Sequence, residues 1–313
     1  DLKGETPIPI SVNLSRLDFT LCDIFSVADQ VVSDYQIPHD FIYFEITESV
    51  MAEEQEMLKG IVDRFRSAGF QIWMDDFGSA YSSLNALKEF SFDEIKLDMR
   101  FLHPFNLRAK RIATAVVEMA KSIDIHTLVE GVETEEQFRY LRNVGCEKVQ
   151  GYYFGKPAPY EEALARLQEK GIGTEAPHER RYYDEIGRID FLSAVPFMTR
   201  EEHDTITTAR QLNSIPLALA EFASDSFSVL FYNSAFEETA SGTEMFSIAL
   251  SQDMLSQPQP YYLLSDKLIN LIDSVKTGGD GRMLFTSNEE YFEVKARCMT
   301  KSREKYCVLI QLT

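Results

Sequence analysis

The stretch FQIWMDDFGSAYSS, residues 70–83, decides the fold prediction because a short apolar run ends on two carboxylates and a glycine. The run Phe70–Met74 is rich in aromatic and β-branched residues, which predicts a strand buried on both faces. Asp75 and Asp76 follow where this strand is predicted to end. Adjacent carboxylates repel each other and need a positive charge nearby, which is usually a divalent metal ion. The alternative is a solvated turn that caps the next helix.

Similar apolar runs recur through the first half of the chain and alternate with helical patterns. Apolar residues recur on one helical face in residues 57–65 and 112–123, before the third and fifth runs. Strands that alternate with helices predict a parallel sheet, either doubly wound or closed into a barrel. The six predicted strands are Ile8–Leu14, Phe41–Ile46, Phe70–Met74, Glu94–Leu97, His126–Val129 and Lys148–Phe154.

Polar residues at the strand ends favour the barrel. An open doubly wound sheet gathers its site at one switch point, whereas a barrel draws functional residues from most strand ends. We therefore predict an α/β fold with a TIM-type (β/α) barrel, of which about six of the eight units are present here. The missing units are expected upstream of Asp1. The polar residues at or near strand ends are Asn13, Glu45, Asp75, Asp76, Lys96, Glu130 and Gln150.

Composition excludes several classes of partner. The chain has 50 acidic and 31 basic residues and a formal net charge of -19, which opposes non-specific binding to nucleic acid and anionic membranes. No apolar run approaches the roughly 18 residues of a membrane helix. The four cysteines lack zinc-site spacing and indicate a reducing compartment. We expect a cytoplasmic protein with no nucleic-acid partner and no membrane segment in this chain.

The second half of the chain predicts a separate, smaller α+β domain. We expect a barrel domain over residues 1–171, a linker and connecting helix over 172–198, and the smaller domain over 199–313. The connecting helix is predicted over 180–197. Predicted strands are Pro216–Phe222, Phe227–Tyr232, Met283–Ser287, Tyr291–Met299 and Tyr306–Leu312, with helices at Ser234–Ala240 and Ser265–Lys276. Residues 216–240 resemble the opening of a PAS domain, which implies a sensory or dimerisation role; no cofactor is assigned to it.

Six ordered motifs in the first half resemble the EAL domain, the phosphodiesterase of cyclic di-GMP signalling. The resemblance implies a barrel that holds two divalent cations, Mg²⁺ or Mn²⁺, and hydrolyses cyclic di-GMP to linear pGpG. It also implies a homodimer, and an upstream cyclase-like domain in the full protein is common in the family. The motifs are VNLS at 12–15, FEITES at 44–49, DDFGSAYSSL at 75–84, IKLD at 95–98, EGVET at 130–134 and QGYYFGKP at 150–157.

The resemblance implies a role for each matching residue. Asn13 and Glu45 would bind the first metal, and Asp75 would bridge both metals. Asp76 and Glu130 would bind the second metal. Lys96 would contact the attacking water or neutralise the transition state. The catalytic residues that the resemblance implies are therefore Lys96, Glu130, Asp75 and Asp76.

Three further residues have supporting roles by resemblance. Gln150 would support the side of the second metal, and Glu48 would hold the loop that starts at Asp76. Glu133 would contact the metal-binding side chains without binding a metal itself. Oxygen ligands suit magnesium or manganese, and the lack of a His or Cys cluster in the sequence argues against zinc. Each site residue taken singly also has a structural interpretation, such as a helix cap or a loop hydrogen bond.

Three departures from the family pattern leave an alternative open. The glutamate of the Glu-Ala-Leu signature has no counterpart in this sequence, Ala80 stands where the family usually has glycine, and the segment Phe101–Lys110 looks short. The first hypothesis is an active phosphodiesterase regulated by the PAS-like domain. The alternative is an inactive EAL domain that acts as a cyclic di-GMP receptor or partner-binding module. A purely structural or dimerisation role leaves the acidic residues unexplained.

Overall fold

The structure is a computed structural model that describes residues 8–53, 55–78, 83–98, 100, 103–169, 175–176, 178–190, 215–243, 246, 258–260 and 263–313. Contacts between Cα atoms divide the chain into two compact units. The first comprises Asp1–Thr134 and Glu147–Arg166, and the second comprises Glu135–Cys146 and Leu167–Thr313. No helix among the described residues is long and apolar enough to cross a membrane.

The first unit contains a six-stranded parallel sheet whose strands neighbour each other in chain order. A doubly wound sheet reverses its strand order at a switch point, whereas a barrel keeps the chain order. The prediction of a barrel-type α/β fold is confirmed. The strands are β1 (Ile10–Leu14), β2 (Ile42–Thr47), β3 (Gln71–Phe77), β4 (Glu94–Leu97), β5 (His126–Val129) and β6 (Lys148–Val149).

Helices follow these strands, and those directly before β3 and β5 pack their apolar faces against the sheet. On the helix before β3, Val62 and Phe65 are each 1% exposed, as the one-face pattern predicts. Met57 was included in that face and is 42% exposed, because it lies at the margin of the apolar stripe. The helices are α1 (Arg16–Leu21), α2 (Ile24–Asp34), α3 (Glu48–Glu53), α4 (Gln55–Ala68), α5 (Ser83–Glu89), α6 (Leu107–Ser122), α7 (Glu135–Asn143) and α8 (Tyr160–Glu169).

In the parallel sheet, the predicted C-terminal ends of two strands are wrong by three residues or more. Strand β3 does not end at Met74 but runs on to Phe77, because the backbone continues to pair with β4 across an irregularity between Met74 and Phe77. The run Lys148–Phe154 was predicted as one strand, yet β6 has only two residues. A turn begins after Gln150, and Tyr152 is 59% exposed there. An aromatic run therefore resembled a strand although its residues do not continue the sheet.

The second unit contains a six-stranded antiparallel sheet with the order β10-β11-β12-β7-β8-β9. Alternation along β7 sends Leu217 and Leu219 to one face and Ala218, Ala220 and Phe222 to the other. Helices α10 (Ser234–Ser241) and α11 (Asp266–Val275) pack on the second of these faces. The strands are β7 (Leu217–Phe222), β8 (Ser226–Tyr232), β9 (Gln259–Pro260), β10 (Asp280–Ser287), β11 (Glu290–Lys301) and β12 (Tyr306–Leu312).

A short helix covers the other face of this sheet. Helix α9 (Arg180–Gly187) packs Tyr182 and Ile186 against Leu217 and Leu309. The connecting helix was predicted over 180–197, but the helix ends at Gly187; residues 191–198 and the predicted start of the domain at 199 lie outside the described residues.

Helix α7 belongs to the second unit by its contacts and packs on β8. Arg142 Nε donates to the carbonyl of Leu230 at 2.6 Å, and Arg142 Nη2 donates to the carbonyl of Val229. The guanidinium also lies 5.7 Å from the ring centroid of Tyr232. Burial lowers the pKa of Arg142 to about 10. A buried cation on α7 is thus bound directly to the backbone of the antiparallel sheet.

Phe65 tests the packing of the first unit. Its ring lies 4.6 Å from that of Phe44 and 5.5 Å from that of Phe70, centroid to centroid. Replacing Phe65 with Ala is expected to lower the free energy of unfolding by about 3–5 kcal/mol, because the cavity cannot collapse fully. The Met57→Ala control on the same helix is expected to change it by about 0.5 kcal/mol or less. Equal shifts of the urea midpoint in the two variants would contradict this packing.

Candidate functional site

One buried ammonium group lies among three carboxylates at the C-terminal ends of the parallel strands. Lys96 Nζ is 2.6 Å from Glu45 Oε2, 2.7 Å from Glu130 Oε1 and 3.2 Å from Asp75 Oδ1. The Lys96 side chain is only 7% exposed. Four different elements, β2, β3, β4 and the residue after β5, therefore contribute to a single ionic cluster.

Strand register explains why these side chains meet. In the parallel pairs, Asn13 is opposite Glu45, and Asp75 is opposite Thr47, two residues beyond Glu45. Side chains two residues apart on a strand point to the same face. Glu130 follows β5 directly, and its backbone nitrogen donates to the Leu97 carbonyl at 2.9 Å. The sheet thus delivers the carboxylates to Lys96 from adjacent positions.

The charge of Lys96 is maintained by its neighbours. Burial of the ammonium group tends to lower the pKa of Lys96, but the hydrogen bonds that it donates to Glu130 and Glu45 and the charge of Asp75 outweigh this effect. The pKa of Lys96 is therefore raised above its ordinary value of 10.5. A buried charge costs free energy unless it is paired, and here the cation and the carboxylates compensate each other.

Asp76 lies next to this cluster in an uncommon backbone conformation. Its φ is 56°, in the left-handed region that L-residues rarely adopt, and it lies within the irregular end of β3. Its backbone nitrogen is 3.0 Å from Asp75 Oδ1, which accepts the hydrogen bond. Backbone strain of this kind is often retained at functional sites. The strained residue therefore lies directly beside a member of the ionic cluster, Asp75.

The segment after Asp76 is attached to a fully buried glutamate. Glu48 is 0% exposed, and its Oε2 accepts a hydrogen bond from the Gly78 backbone nitrogen at 3.3 Å. Gly78 has a φ of 87°, which favours glycine. Ala80, the position where the sequence departs from the family pattern, lies outside the described residues, as does Phe101 at the start of the short segment.

The remaining sequence-predicted residues lie around the cluster. Asn13 is exposed on β1 beside Glu45, and Glu133 is exposed in the loop after β5. Gln150 is exposed, and its backbone bonds join the strand ends: its nitrogen donates to Val129, and its carbonyl accepts from Val132 at 3.0 Å. The structure therefore gathers Glu45, Asp75, Lys96 and Glu130 directly, and it places Asn13, Asp76, Glu48, Glu133 and Gln150 on neighbouring strand ends and loops.

Sequence reasoning missed two residues at the outer side of the site. Arg100 Nη2 lies 2.6 Å from Asp98 Oδ2 and 3.4 Å from Asp76 Oδ1. Asp98 was part of the quoted segment IKLD, but no role was assigned to it. The signal that could have found the pair is a carboxylate and an arginine two residues apart, directly after a predicted strand.

The donor set fits a hard divalent cation. Three carboxylates lie within 3.2 Å of one point, Lys96 Nζ, and carboxylate oxygens are the ligands that magnesium, manganese and calcium prefer. They are turned towards the ammonium group, and among the described residues no group of three or more His, Cys, Asp and Glu side chains forms a ready-made metal site. A cation would bind here by drawing these oxygens away from Lys96.

Gly151 tests the loop arrangement beside the cluster. A Cβ at this position would overlap the backbone of Val132, whereas a Cβ at Gly155 would have no atom within 4 Å. Gly151→Ala is expected to lower the free energy of unfolding by about 1–3 kcal/mol because the loop must move. Gly155→Ala is the matched control. If thermal unfolding shows both variants equally stable, the close approach of these two segments is wrong.

Several proteins of known sequence are similar to about half of the chain. Cyclic di-GMP phosphodiesterase PdeR of Escherichia coli is 32% identical over 152 residues, which cover 48% of this chain and 23% of that protein. Probable cyclic di-GMP phosphodiesterase PdeB of the same organism is 34% identical over 155 residues, covering 50% and 30%. The match spans 20% to 30% of the length of such relatives.

Solved structures are also similar to the chain. A chain described as PaMucR phosphodiesterase in a c-di-GMP complex is 30% identical with a TM-score of 0.47, covering 49% of this chain and 63% of that chain. The EAL domain of Mycobacterium smegmatis DcpA is 28% identical with a TM-score of 0.48, covering 52% and 74%. The family described as EAL domain matches residues 1–157. The chain belongs to the EAL domain family.

Proposed function

We propose that the chain is a metal-dependent phosphodiesterase that hydrolyses cyclic di-GMP to linear pGpG. The observation that carries the proposal is the convergence of Glu45, Asp75 and Glu130 on Lys96 at the strand ends. Two of the relatives reported above carry the name cyclic di-GMP phosphodiesterase. The proposal includes a cytoplasmic homodimer, and an upstream cyclase-like domain in the full protein.

The proposed ligands are those the sequence motifs named. Asn13 and Glu45 would hold a first Mg²⁺ or Mn²⁺, Asp75 would bridge to a second, and Asp76 and Glu130 would complete the second site. Two such ions, when bound, supply activation of water and stabilisation of charge on the phosphoryl oxygens. We propose magnesium or manganese for both positions because the ligands are oxygen atoms.

The protein's own groups then orient and neutralise the reacting phosphate. Lys96 remains protonated near neutral pH, since its pKa is raised, and its ammonium can balance negative charge that develops on the phosphodiester. Glu48 holds the Gly78 nitrogen, which fixes the direction of the chain after Asp76. Gln150 and Glu133 support the ligands from the loops at the strand ends. The site is thus held in place before substrate binds.

Product formation from cyclic di-GMP tests this function. The protein is incubated with cyclic di-GMP and Mg²⁺ or Mn²⁺, and linear pGpG is followed by chromatography. Asp75→Asn is expected to lower the rate by about 100-fold or more, since it removes the carboxylate proposed to bridge both ions. Asp63→Asn, at an exposed carboxylate on α4, is the matched control and is expected to keep the wild-type rate.

Chelation gives a second result in the same assay. EDTA is expected to stop product formation, and an excess of Mn²⁺ is expected to restore it. A wild-type protein that forms pGpG equally well with EDTA would contradict the metal-dependent mechanism. Binding of cyclic di-GMP without any product would contradict the enzyme.

The Lys96 cluster favours a second candidate, a cyclic di-GMP receptor that does not hydrolyse its ligand. The ammonium group lies where the three carboxylates converge and competes with a cation for them. In this case cyclic di-GMP would bind with no pGpG formed, and the signal would pass to a partner.

We further propose that the C-terminal domain is PAS-like and regulates this site. Its antiparallel sheet with α10 and α11 on one face supports the resemblance seen in residues 216–240. Helix α7 supports the regulatory part, because it starts one residue after the segment 130–134 and is bound to β8 through Arg142. The domain can thereby influence Glu130 through the chain itself.

Arg142→Leu tests this regulation. Loss of the bonds to Leu230 and Val229 weakens the attachment of α7 to the sheet by about 1 kcal/mol for each hydrogen bond. We therefore expect the rate of pGpG formation to fall by about threefold or more. Arg139→Leu on the same helix, where the side chain pairs with Glu135 four residues away, is the control. Unchanged rates in both variants, with both proteins folded, would argue against control through α7.

A further inference from the structure

Arg100 is fixed at the outer side of the candidate site by Asp98. Its Nε lies 2.7 Å and its Nη2 2.6 Å from Asp98 Oδ2, while its backbone nitrogen donates to Asp98 Oδ1 at 2.7 Å. The hydrogen bond that the guanidinium donates to Asp98 raises the pKa of Arg100, and the same contact lowers the pKa of Asp98. Both charges are therefore present throughout the working pH range.

The same guanidinium reaches the neighbouring strand end. Arg100 Nη2 lies 3.4 Å from Asp76 Oδ1, a longer contact than the one with Asp98. The side chain of Arg100 is 75% exposed, in contrast to 7% for Lys96. The site thus has a buried cation at its centre and an exposed cation at its mouth.

We propose that Arg100 binds a non-bridging phosphate oxygen of the phosphodiester substrate and is positioned for this by Asp98. The inference rests on the proposed function. A guanidinium presents paired donors that match phosphate oxygens, and one already held by a carboxylate loses less conformational freedom on binding. Because Asp76 is only weakly contacted, the anionic substrate can replace that contact while Asp98 keeps Arg100 in place.

A purely structural role for Arg100 predicts a different result. An ion pair with three-quarters of the arginine exposed contributes about 0–1 kcal/mol to stability, so its loss leaves the fold unchanged. A role as a counter-ion for Asp76 predicts tighter binding of divalent cations once Arg100 is removed. A role in binding the phosphodiester predicts weaker binding of cyclic di-GMP and unchanged binding of cations. These outcomes can be separated by measurement.

Arg100→Gln is compared with wild type in three measurements: KM and kcat for pGpG formation, the Kd of cyclic di-GMP by calorimetry with calcium, and the Kd of Mn²⁺ alone. We expect KM and the Kd of cyclic di-GMP to rise by about tenfold, which corresponds to the loss of one charge-assisted hydrogen bond. We expect kcat and the Kd of Mn²⁺ to stay within about twofold of wild type, since a change confined to KM removes uniform binding.

Two further variants complete the test. Arg108→Gln, at an exposed arginine on α6, is the control and is expected to match wild type in every measurement. Asp98→Asn removes the charge that positions Arg100 and is expected to raise the Kd of cyclic di-GMP in the same direction.

A failure of this inference can be distinguished from a failure of the proposed function. A wild-type Kd for cyclic di-GMP in Arg100→Gln, or tighter Mn²⁺ binding with unchanged KM, overturns the role of Arg100 while leaving the proposed function intact. A wild-type protein that neither binds nor cleaves cyclic di-GMP overturns the proposed function and this inference with it.

Discussion

The interaction on which the site depends is the ionic cluster around Lys96. Like-charged carboxylates cannot be brought together in a buried place without a compensating cation. Glu45, Asp75 and Glu130 come from different strand ends, and within the part of the chain that the structure describes only the Lys96 ammonium contacts all three. The parallel sheet brings the three carboxylates together, and the positive charge of Lys96 compensates their mutual repulsion. The same arrangement leaves the carboxylates available to a divalent cation.

Backbone features around the cluster set the directions of its neighbours. The left-handed conformation of Asp76 falls within the irregular end of β3, where the pairing with β4 skips from Met74 to Phe77. Gly151 permits the close approach of the Gln150 segment to Val132, which connects the loops after β5 and β6. These features cost conformational free energy, and the surrounding hydrogen bonds maintain them. The close approach at Gly151 explains why the motif that starts at Gln150 contains a glycine.

The sequence predicts much of this arrangement, because strand ends in a parallel sheet meet at one edge. The positions of Glu45 and Lys96 on strands follow from apolar runs alone, whereas Asp75 is predicted directly after a strand that in the structure continues to Phe77. The left-handed backbone of Asp76 does not follow from such runs, because no local pattern shows that the β3–β4 pairing is interrupted between Met74 and Phe77. The contact of Arg100 with Asp76 is likewise not predicted by the sequence, because it depends on how close two strand ends lie in the folded chain.

The errors in the fold prediction have related causes. Periodicity identifies an apolar face but not its margins, so Met57 was placed inside although it is 42% exposed. Composition also cannot distinguish an aromatic turn from a strand, which is why the run after Val149 was extended too far. In the second half, strand β12 was predicted with its observed bounds, because its apolar run is flanked by turn residues on one side and the chain end on the other.

Anomalous diffraction from crystals soaked in Mn²⁺ tests the central claim most directly. The account predicts manganese peaks at about 2.2 Å from oxygens of Glu45 and Asp75, with the Lys96 ammonium moved away from them. Crystals that show no manganese at these carboxylates, with Lys96 still bonded to all three, would contradict the claim that the cluster is a divalent-cation site.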